Sequence, residues 1–564
     1  MVHLSHAHSE FIWASLIGII GALVTVAFRQ GIGWVEFIVT GHSGGGSLVS
    51  LARSLSWPMR IVIPTIGGVI AGFFLVWSNR FGNSAASDYM EAISILDGKL
   101  SVRQSLLRSF SSMWTIASGG SIGREGSMVQ LSAMCASLVG RISRFDPARL
   151  KLLVACGAAA GITSAYNTPL AGAFFVMEIV LGSIAMASVG PIVVAAVVAN
   201  VTMRALPGYR PTYEVPTFPA IPGTEVWLFI SLGIIAGLIA PVFLYLLETA
   251  KNAFKRTALP LPLRLGLGGL CLGIISIQVP AVWGNGYSVV NSLLHDNWTS
   301  YAVILILAAK IVATAMTTGS GAVGGVFTPT LFVGAALGWL FGTQAQMAFP
   351  HLTSTPPAFA IVGMGAFLAG AANAPLTAIL MIFEMTLSYQ VVLPLMLACV
   401  ISNLLSRTSS ERSMYAVTLK RAALEKERER VRNMQMRDLV KPAETVLSES
   451  ATLHELAVMF QQYSVKYIYI INVQGMYQGV VAAQDITAAM MATDASRPAL
   501  AQALLRRAHL QVLTMDMSLE ESMTKFMLHQ GERLPIIESL DHPVLTGVVF
   551  KTSVLDAYTR LSQS

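Results

Sequence analysis

Between residue 11 and about residue 405 the chain alternates long apolar stretches with short polar ones rich in glycine. Residues 11–28, 59–77 and 226–247 are each about 18 to 22 mostly apolar residues, enough for a helix to cross a hydrocarbon core of roughly 30 Å. Residues 128–139, 167–181, 330–341 and 373–387 are shorter, or flanked by Gly, Pro and polar side chains, and predict half-length helices. A helix of that length cannot cross alone, and irregular backbone at membrane depth survives only where protein covers it or it lines a polar cavity. The pattern predicts an α-helical polytopic membrane protein with a pathway through it, built from tilted and broken helices.

The pattern also repeats. Asn167-Thr168-Pro169-Leu170 running on to Glu178 returns as Asn373-Ala374-Pro375-Leu376 running on to Glu384, 206 residues later. Ser118-Gly119…Gly123-Arg124-Glu125 lines up with Ser320-Gly321…Gly325-Val326-Phe327, 202 residues later. Two similar halves of broken helices, about 60–205 and 226–405 within a membrane domain of 1–405, are the pattern of transporters whose site lies at the repeat interface. After residue 405 the character changes. Residues 407–432 hold eight Lys/Arg and four Glu, and the stretch 406–434 reads as a charged linker helix. Its basic excess predicts a cytoplasmic C-terminus. A further repeat follows: Thr452-Leu453…Glu455…Phe460…Ile470-Ile471 matches Ser518-Leu519…Glu521…Phe526…Ile536-Ile537 at an offset of 66. Each copy reads as helix, β run, turn and a second strand after a glycine. This pair, 435–495 and 510–561, resembles tandem CBS domains.

Composition narrows the class further. Hydrophobic residues make up 54% and charged residues only 12%, against roughly 25% charged in a soluble domain, so most of the surface must face lipid. The formal net charge of +7 is modest and partly concentrated in the linker, which argues against nucleic acid as a partner. Cys135, Cys156, Cys271 and Cys399 sit in apolar stretches without paired spacing and read as small core residues, with no metal site. The N-terminus lacks a basic leader region, so the first apolar run reads as a retained span.

The candidate chemistry lies in the gaps between helices. Gly119-Gly120-Ser121-Ile122-Gly123-Arg124-Glu125-Gly126-Ser127 and Gly324-Gly325-Val326-Phe327-Thr328-Pro329 each come directly before an apolar helix. Glycine lets free backbone N–H groups turn toward one point, and the following helix adds its positive dipole end. That arrangement binds anions without a full positive charge, which suits an ion that must leave again. Close helix packing is the other use of such glycines in membranes. Glu125 is a carboxylate in an intramembrane loop and therefore a functional candidate by default. It can occupy the same nest as a permeant anion and leave it on protonation, acting as gate and proton acceptor.

These segments make the chain similar to the CLC family of chloride channels and proton-coupled chloride antiporters. Gly123–Ser127 is close to the family's GREGP motif, with Ser127 in place of proline, and Gly324–Pro329 carries its GxFxP motif. Asn167-Thr168-Pro169-Leu170-Ala171-Gly172, Trp283-Gly284-Asn285-Gly286-Tyr287 and Tyr415 in Ser413-Met414-Tyr415-Ala416 also fit. The resemblance implies that Glu125 is the gating glutamate. It also implies chloride coordination by the amides of Val326 and Phe327 and by the Tyr415 hydroxyl, with Gly123, Arg124, Gly126, Gly324 and Gly325 forming the anion loops. A homodimer with one chloride pathway per subunit, in the cell membrane with both termini cytoplasmic, follows from the same resemblance, as does the absence of a required cofactor or enzymatic activity.

Two departures bear on mechanism. The family's first selectivity loop is replaced by Gly82-Asn83-Ser84-Ala85-Ala86-Ser87-Asp88. Ser84 is the favoured anion-facing hydroxyl, with Ser87 the alternative. Where family antiporters carry an inner, proton-accepting glutamate, this chain has Ile179, preceded by Glu178. Isoleucine holds no proton, which favours a channel-like chloride pathway. The alternative is a proton-coupled antiporter using water or Glu178 as another proton route. In the CBS pair, Asp485 stands where nucleotide-binding members place a ribose-binding acid, so an adenine nucleotide is one candidate ligand and a purely structural role the other. Two remoter readings compete. An HExxH-type metalloprotease fails at Val458, where the second histidine is required. A CBS-regulated divalent-cation channel needs several acidic side chains in its pore.

Overall fold

The computed structural model describes residues 6–563 apart from 42–46, 82–85, 87, 95, 207–212, 217–220, 352–353, 411, 416–433, 492–499, 507–510 and 530. Ser84, Ser87 and most of the expected linker helix therefore lie outside the described residues. The chain divides into two compact units, Met1–Leu419 and Lys420–Ser564. The first is helical, and among its described residues eight helices are long and apolar enough to cross a membrane, beginning with Ser9–Thr40.

Two of the segments expected to be half-length are full-length helices. Residues 128–139 belong to Glu125–Ile142 and residues 330–341 to Phe327–Ala348. Hydropathy undercounts both because each begins in a polar first turn. The other two are short, as expected: Pro169–Phe175 continues as a π-helical segment, Val176–Leu181, and its counterpart is Pro375–Thr386. Proline at the first helical position needs no amide hydrogen bond. The turn before each short helix is made by an asparagine in the left-handed region, Asn167 (φ 62°) and Asn373 (φ 55°), conformations that asparagine tolerates better than most residues.

The two halves hold each other at equivalent residues. Glu178 accepts hydrogen bonds from the amides of Leu376 (3.1 Å) and Thr377 (2.7 Å) and from the Thr377 hydroxyl (2.6 Å). Glu384 accepts from the amides of Leu170 (3.0 Å) and Ala171 (2.8 Å). Each carboxylate thus caps the short helix of the opposite half, where an anion is favoured by free N–H groups and the helix dipole. The exchange relates Leu170 to Leu376 and Glu178 to Glu384, both 206 residues apart, as a local two-fold axis requires. Elsewhere, helices Trp57–Asn79 and Leu261–Gln278 pack closely through facing GxxxG pairs. A Cβ at Gly68, Gly72, Gly269 or Gly273 would run into the backbone of the other helix, so these small residues let two main chains approach in a lipid setting.

The C-terminal unit contains two like sheets. Strand β1 (Val446–Ser448) pairs parallel with β2 (Tyr467–Ile471), which pairs antiparallel with β3 (Tyr477–Ala482). Strands β4 (Leu513–Thr514), β5 (Arg533–Ile537) and β6 (Leu545–Phe550) repeat that order, down to a register shift at Ile470/Ile471 and again at Ile536/Ile537. The repeated Thr452…Glu455 and Ser518…Glu521 are capping boxes at the starts of helices Leu453–Gln462 and Leu519–Leu528, which explains their spacing. Small mixed sheets with flanking helices agree with the expected CBS pair. One expectation is corrected: residues 412–415 of the charged segment are not helical, and the preceding helix, Val392–Ser409, ends before them.

Replacing Glu384 by alanine leaves the Leu170 and Ala171 amides without their acceptor. We expect a loss of about 1–2 kcal/mol, in the range measured for helix N-caps, read as a lowered unfolding midpoint of the full chain in detergent. A midpoint equal to wild type would remove the cap from this account.

Candidate functional site

Glu125 and Phe327, 202 residues apart, each open a helix at the interface of the halves, with Arg124 and Val326 at the preceding cap positions. The loops leading into these helices meet. Gly123 N–H donates to Gly325 O (2.7 Å), and Gly325 N–H donates to Gly123 O (2.9 Å). Equivalent residues paired antiparallel put the local two-fold axis between them, so both helix starts converge on one place.

Glu125 is only 3% exposed. Its carboxylate accepts from the backbone amide of Thr328 (3.1 Å) and from the Thr328 hydroxyl (3.1 Å). The carboxylate of one half therefore sits on the positive end of the helix of the other, where charge is best tolerated away from water. The amides of Val326 and Phe327, two and one residues earlier, donate to no acceptor among the described residues. Because Glu125 itself opens a helix while Phe327 does the same opposite, one half supplies a charged side chain and the other supplies free amides.

An aromatic wall encloses the spot. Tyr166 Oη lies 2.9 Å and Tyr287 Oη 3.3 Å from Thr328 Oγ1, and the Thr328 hydroxyl has a single hydrogen, directed at Glu125, so both phenols are placed to donate to it. Tyr166 packs on Phe327 (centroids 5.2 Å), Phe327 on Phe175 (6.5 Å) and Phe175 on Tyr415 (5.7 Å). Tyr415 thus belongs to the same cluster, and the Met414 amide anchors its segment to Ala371 O (2.9 Å). The Tyr89 amide donates to Gln130 Oε1 (3.0 Å) on the helix that Glu125 opens.

Arg124 does not pair with Glu125. Its guanidinium lies over the Tyr287 ring at 5.5 Å. Ile179 is 1% exposed inside the π-helical segment Val176–Leu181, a geometry often found at functional sites, and Glu178 is committed to its cap on the opposite half. Asp485, in the C-terminal unit, is held by Arg506 through two hydrogen bonds (2.6 and 2.5 Å). A separate cavity of about 470 Å³ in that unit is lined by Tyr463, Lys466, Tyr467, Arg533 and Phe550.

Sequence reading missed three contributors. Thr328 lies within the Gly324–Pro329 motif and Tyr166 just before Asn167, but neither residue type announces its partner. Lys310 is fully buried in the apolar helix Ser300–Gly319 and donates to Val282 O (2.9 Å) and Gly284 O (2.6 Å). A lone lysine in a predicted span is the signal that could have found it. The loop it holds is fastened in turn to the Glu125 loop, since the Gly284 amide donates to Gly119 O (3.0 Å). Gly119 has φ 96°, and a Cβ there would stand 2.5 Å from the Trp283 ring.

Comparison with known proteins identifies the family. The Voltage gated chloride channel family profile matches residues 66–407. A ClcB-like chloride channel protein of Ralstonia nicotianae is 53% identical over 416 residues, covering 72% of this chain and 96% of that protein. The voltage-gated ClC-type chloride channel ClcB of Salmonella typhi is 41% identical over 408 residues, covering 71% of this chain and 97% of that protein. The fold is shared with a slow cyanobacterial Cl⁻/H⁺ antiporter (TM-score 0.64, 24% identity, 73% of this chain and 97% of that one). It is shared also with a eukaryotic CLC transporter (TM-score 0.62, 18% identity, 96% of this chain and 97% of that one). The chain belongs to the CLC family of chloride channels and chloride/proton antiporters.

Gly119→Ala forces a side chain into a left-handed position against Trp283. We expect a destabilisation of about 1–3 kcal/mol, seen as a lowered unfolding midpoint, together with lower anion flux from reconstituted protein. Wild-type stability and flux would show that the Trp283 contact is not needed to hold the loop.

Proposed function

We propose that the chain carries chloride across the membrane through a pathway that Glu125 gates. The observation that carries this reading is the seat of the Glu125 carboxylate on the Thr328 amide and hydroxyl, beside the unclaimed amides of Val326 and Phe327. A site that holds one anion by main-chain donors can hold another of similar size once the first withdraws. Protonation discharges the carboxylate, removes the reason for it to stay, and leaves the donors to chloride. Val326, Phe327, Tyr415 and Ser84 are the coordinating residues in this reading, and Gly123, Arg124, Gly126, Gly324 and Gly325 shape the loops that present them.

The pathway is channel-like, because Ile179 cannot accept a proton and Glu178, the nearest carboxylate in sequence, is occupied as a helix cap. Proton-coupled antiport remains the second reading and needs a water route past Ile179. A divalent-cation pathway fits poorly with a donor set of amides and hydroxyls around one carboxylate. The protein works as a homodimer in the cell membrane, one pathway per subunit and both termini cytoplasmic, with the CBS pair adjusting its activity. An adenine nucleotide that used Asp485 would first have to displace Arg506.

Glu125→Gln is expected to abolish the pH dependence of chloride flux from proteoliposomes while leaving conduction intact; a mutant that keeps the wild-type pH profile would rule the gate out. The transport mode is decided by the reversal potential in a chloride gradient with a pH gradient superimposed. We expect the potential to stay at the chloride value, and a displacement with pH would establish antiport instead.

A further inference from the structure

The Thr328 hydroxyl has a property that the gating reading does not use. Thr328 is fully buried, and its Oγ1 lies 3.1 Å from the Glu125 carboxylate, 2.9 Å from Tyr166 Oη and 3.3 Å from Tyr287 Oη. A threonine hydroxyl has one hydrogen and two lone pairs. An ionised carboxylate only accepts, so the hydrogen goes to Glu125 and the lone pairs face the phenols. Apart from each other, Tyr166 and Tyr287 have no other acceptor for their hydrogens among the described residues. Arg124, which lies over the Tyr287 ring, carries only donors and offers none. The phenols therefore fix the polarity of the hydroxyl: it gives a hydrogen bond toward the seat of Glu125 and takes none from it.

The aromatic packing leaves that arrangement little freedom. Tyr166 is buried against Phe327 (centroids 5.2 Å) and stands edge-on to Tyr287 (6.5 Å), which packs in turn against Tyr213 (5.3 Å). The seat is close-fitting as well, since a Cβ on Gly123 or Gly325 would collide with the Glu125 carboxylate. An anion that takes the place of the carboxylate meets the hydrogen end of the Thr328 hydroxyl beside the Thr328 amide. A fixed donor favours an ion of concentrated charge, because hydrogen-bond strength follows the charge on the acceptor and a preorganised dipole costs nothing to orient. An ion of diffuse charge gains less from it.

We infer that Thr328 is a specificity-determining residue: its hydroxyl, held as a donor by Tyr166 and Tyr287, selects chloride over large, weakly hydrated anions such as thiocyanate. The inference rests on the chloride-pathway reading above and deepens it by naming the group that chooses among anions at the Glu125 seat. Backbone amides are present whatever side chain follows Phe327. The hydroxyl is the part of the site that the residue at this position decides.

The test is the bi-ionic reversal potential of the reconstituted full chain, with chloride on one side, thiocyanate on the other and equal pH. Thr328→Val puts a methyl group where the hydroxyl stood. It is expected to raise the thiocyanate-to-chloride permeability ratio about three- to tenfold, a fraction of what one charge-assisted hydrogen bond contributes. Thr328→Ser should keep the wild-type ratio. Tyr166→Phe combined with Tyr287→Phe leaves the hydroxyl in place but frees it to turn, and should raise the ratio in the same direction. Thr328→Val added to that pair should then change the ratio less than it does alone. A ratio unchanged in Thr328→Val overturns the inference, as does an equal rise in Thr328→Ser, which would mark a packing effect. If Thr328→Val yields no folded protein, the tyrosine pair decides, and a wild-type ratio there overturns the lock. Failure of the gate is separable, because it is read from the pH profile of Glu125→Gln, and failure of chloride transport itself would leave no bi-ionic potential in wild type.

Discussion

Everything at the centre of this protein follows from one carboxylate placed where water cannot reach it. An isolated charge in that position is costly, and Glu125 is kept there by an amide and a hydroxyl from a helix more than 200 residues away in the chain. That helix would otherwise begin with unsatisfied N–H groups in an apolar surrounding. The carboxylate satisfies one of those groups, the Thr328 amide, and the helix start in turn offsets the cost of burying the charge. Both donors come from one residue, Thr328, whose amide is fixed by the start of its helix.

The repeat makes this arrangement attainable. Two segments of similar sequence end in the same type of turn, and the local two-fold axis brings their helix starts to one point. At that point the sequences diverge, with Glu125 in one half and Phe327 in the other. Symmetry supplies the meeting place and the asymmetry supplies the chemistry. The outer caps, Glu178 on one side and Glu384 on the other, keep the symmetric pattern because their work is structural and identical.

Much of this was legible in the chain. The repeated Asn-x-Pro-Leu and glycine-rich loops identify the halves, and a glutamate among glycines points to the residue that the structure seats at the meeting of two helix starts. Helices Glu125–Ile142 and Phe327–Ala348 are longer than the hydropathy of 128–139 and 330–341 suggests because the first turn of each is polar. Glu178 reads as a candidate proton route because it stands next to Ile179; its role as a cap is invisible in the sequence, since the start of helix Pro375–Thr386 lies about 200 residues away and no local pattern points to it. Lys310 escaped for a similar reason: its acceptors are carbonyls, and carbonyls leave no trace in a sequence. In the C-terminal unit the spacing of Thr452 to Glu455 was visible as a repeat, yet its meaning as a reciprocal cap came only with the structure.

The glycine pair across the axis has one more implication. Rocking one half against the other, as many carriers do, would tear apart the Gly123–Gly325 exchange and both carboxylate clasps in a single stroke, inside a medium with no substitute donors. The cheaper motion is the swing of one side chain about two or three bonds, with the scaffold stationary. If the proposed gate holds, a passage opened that way would keep its backbone donors in register from one ion to the next.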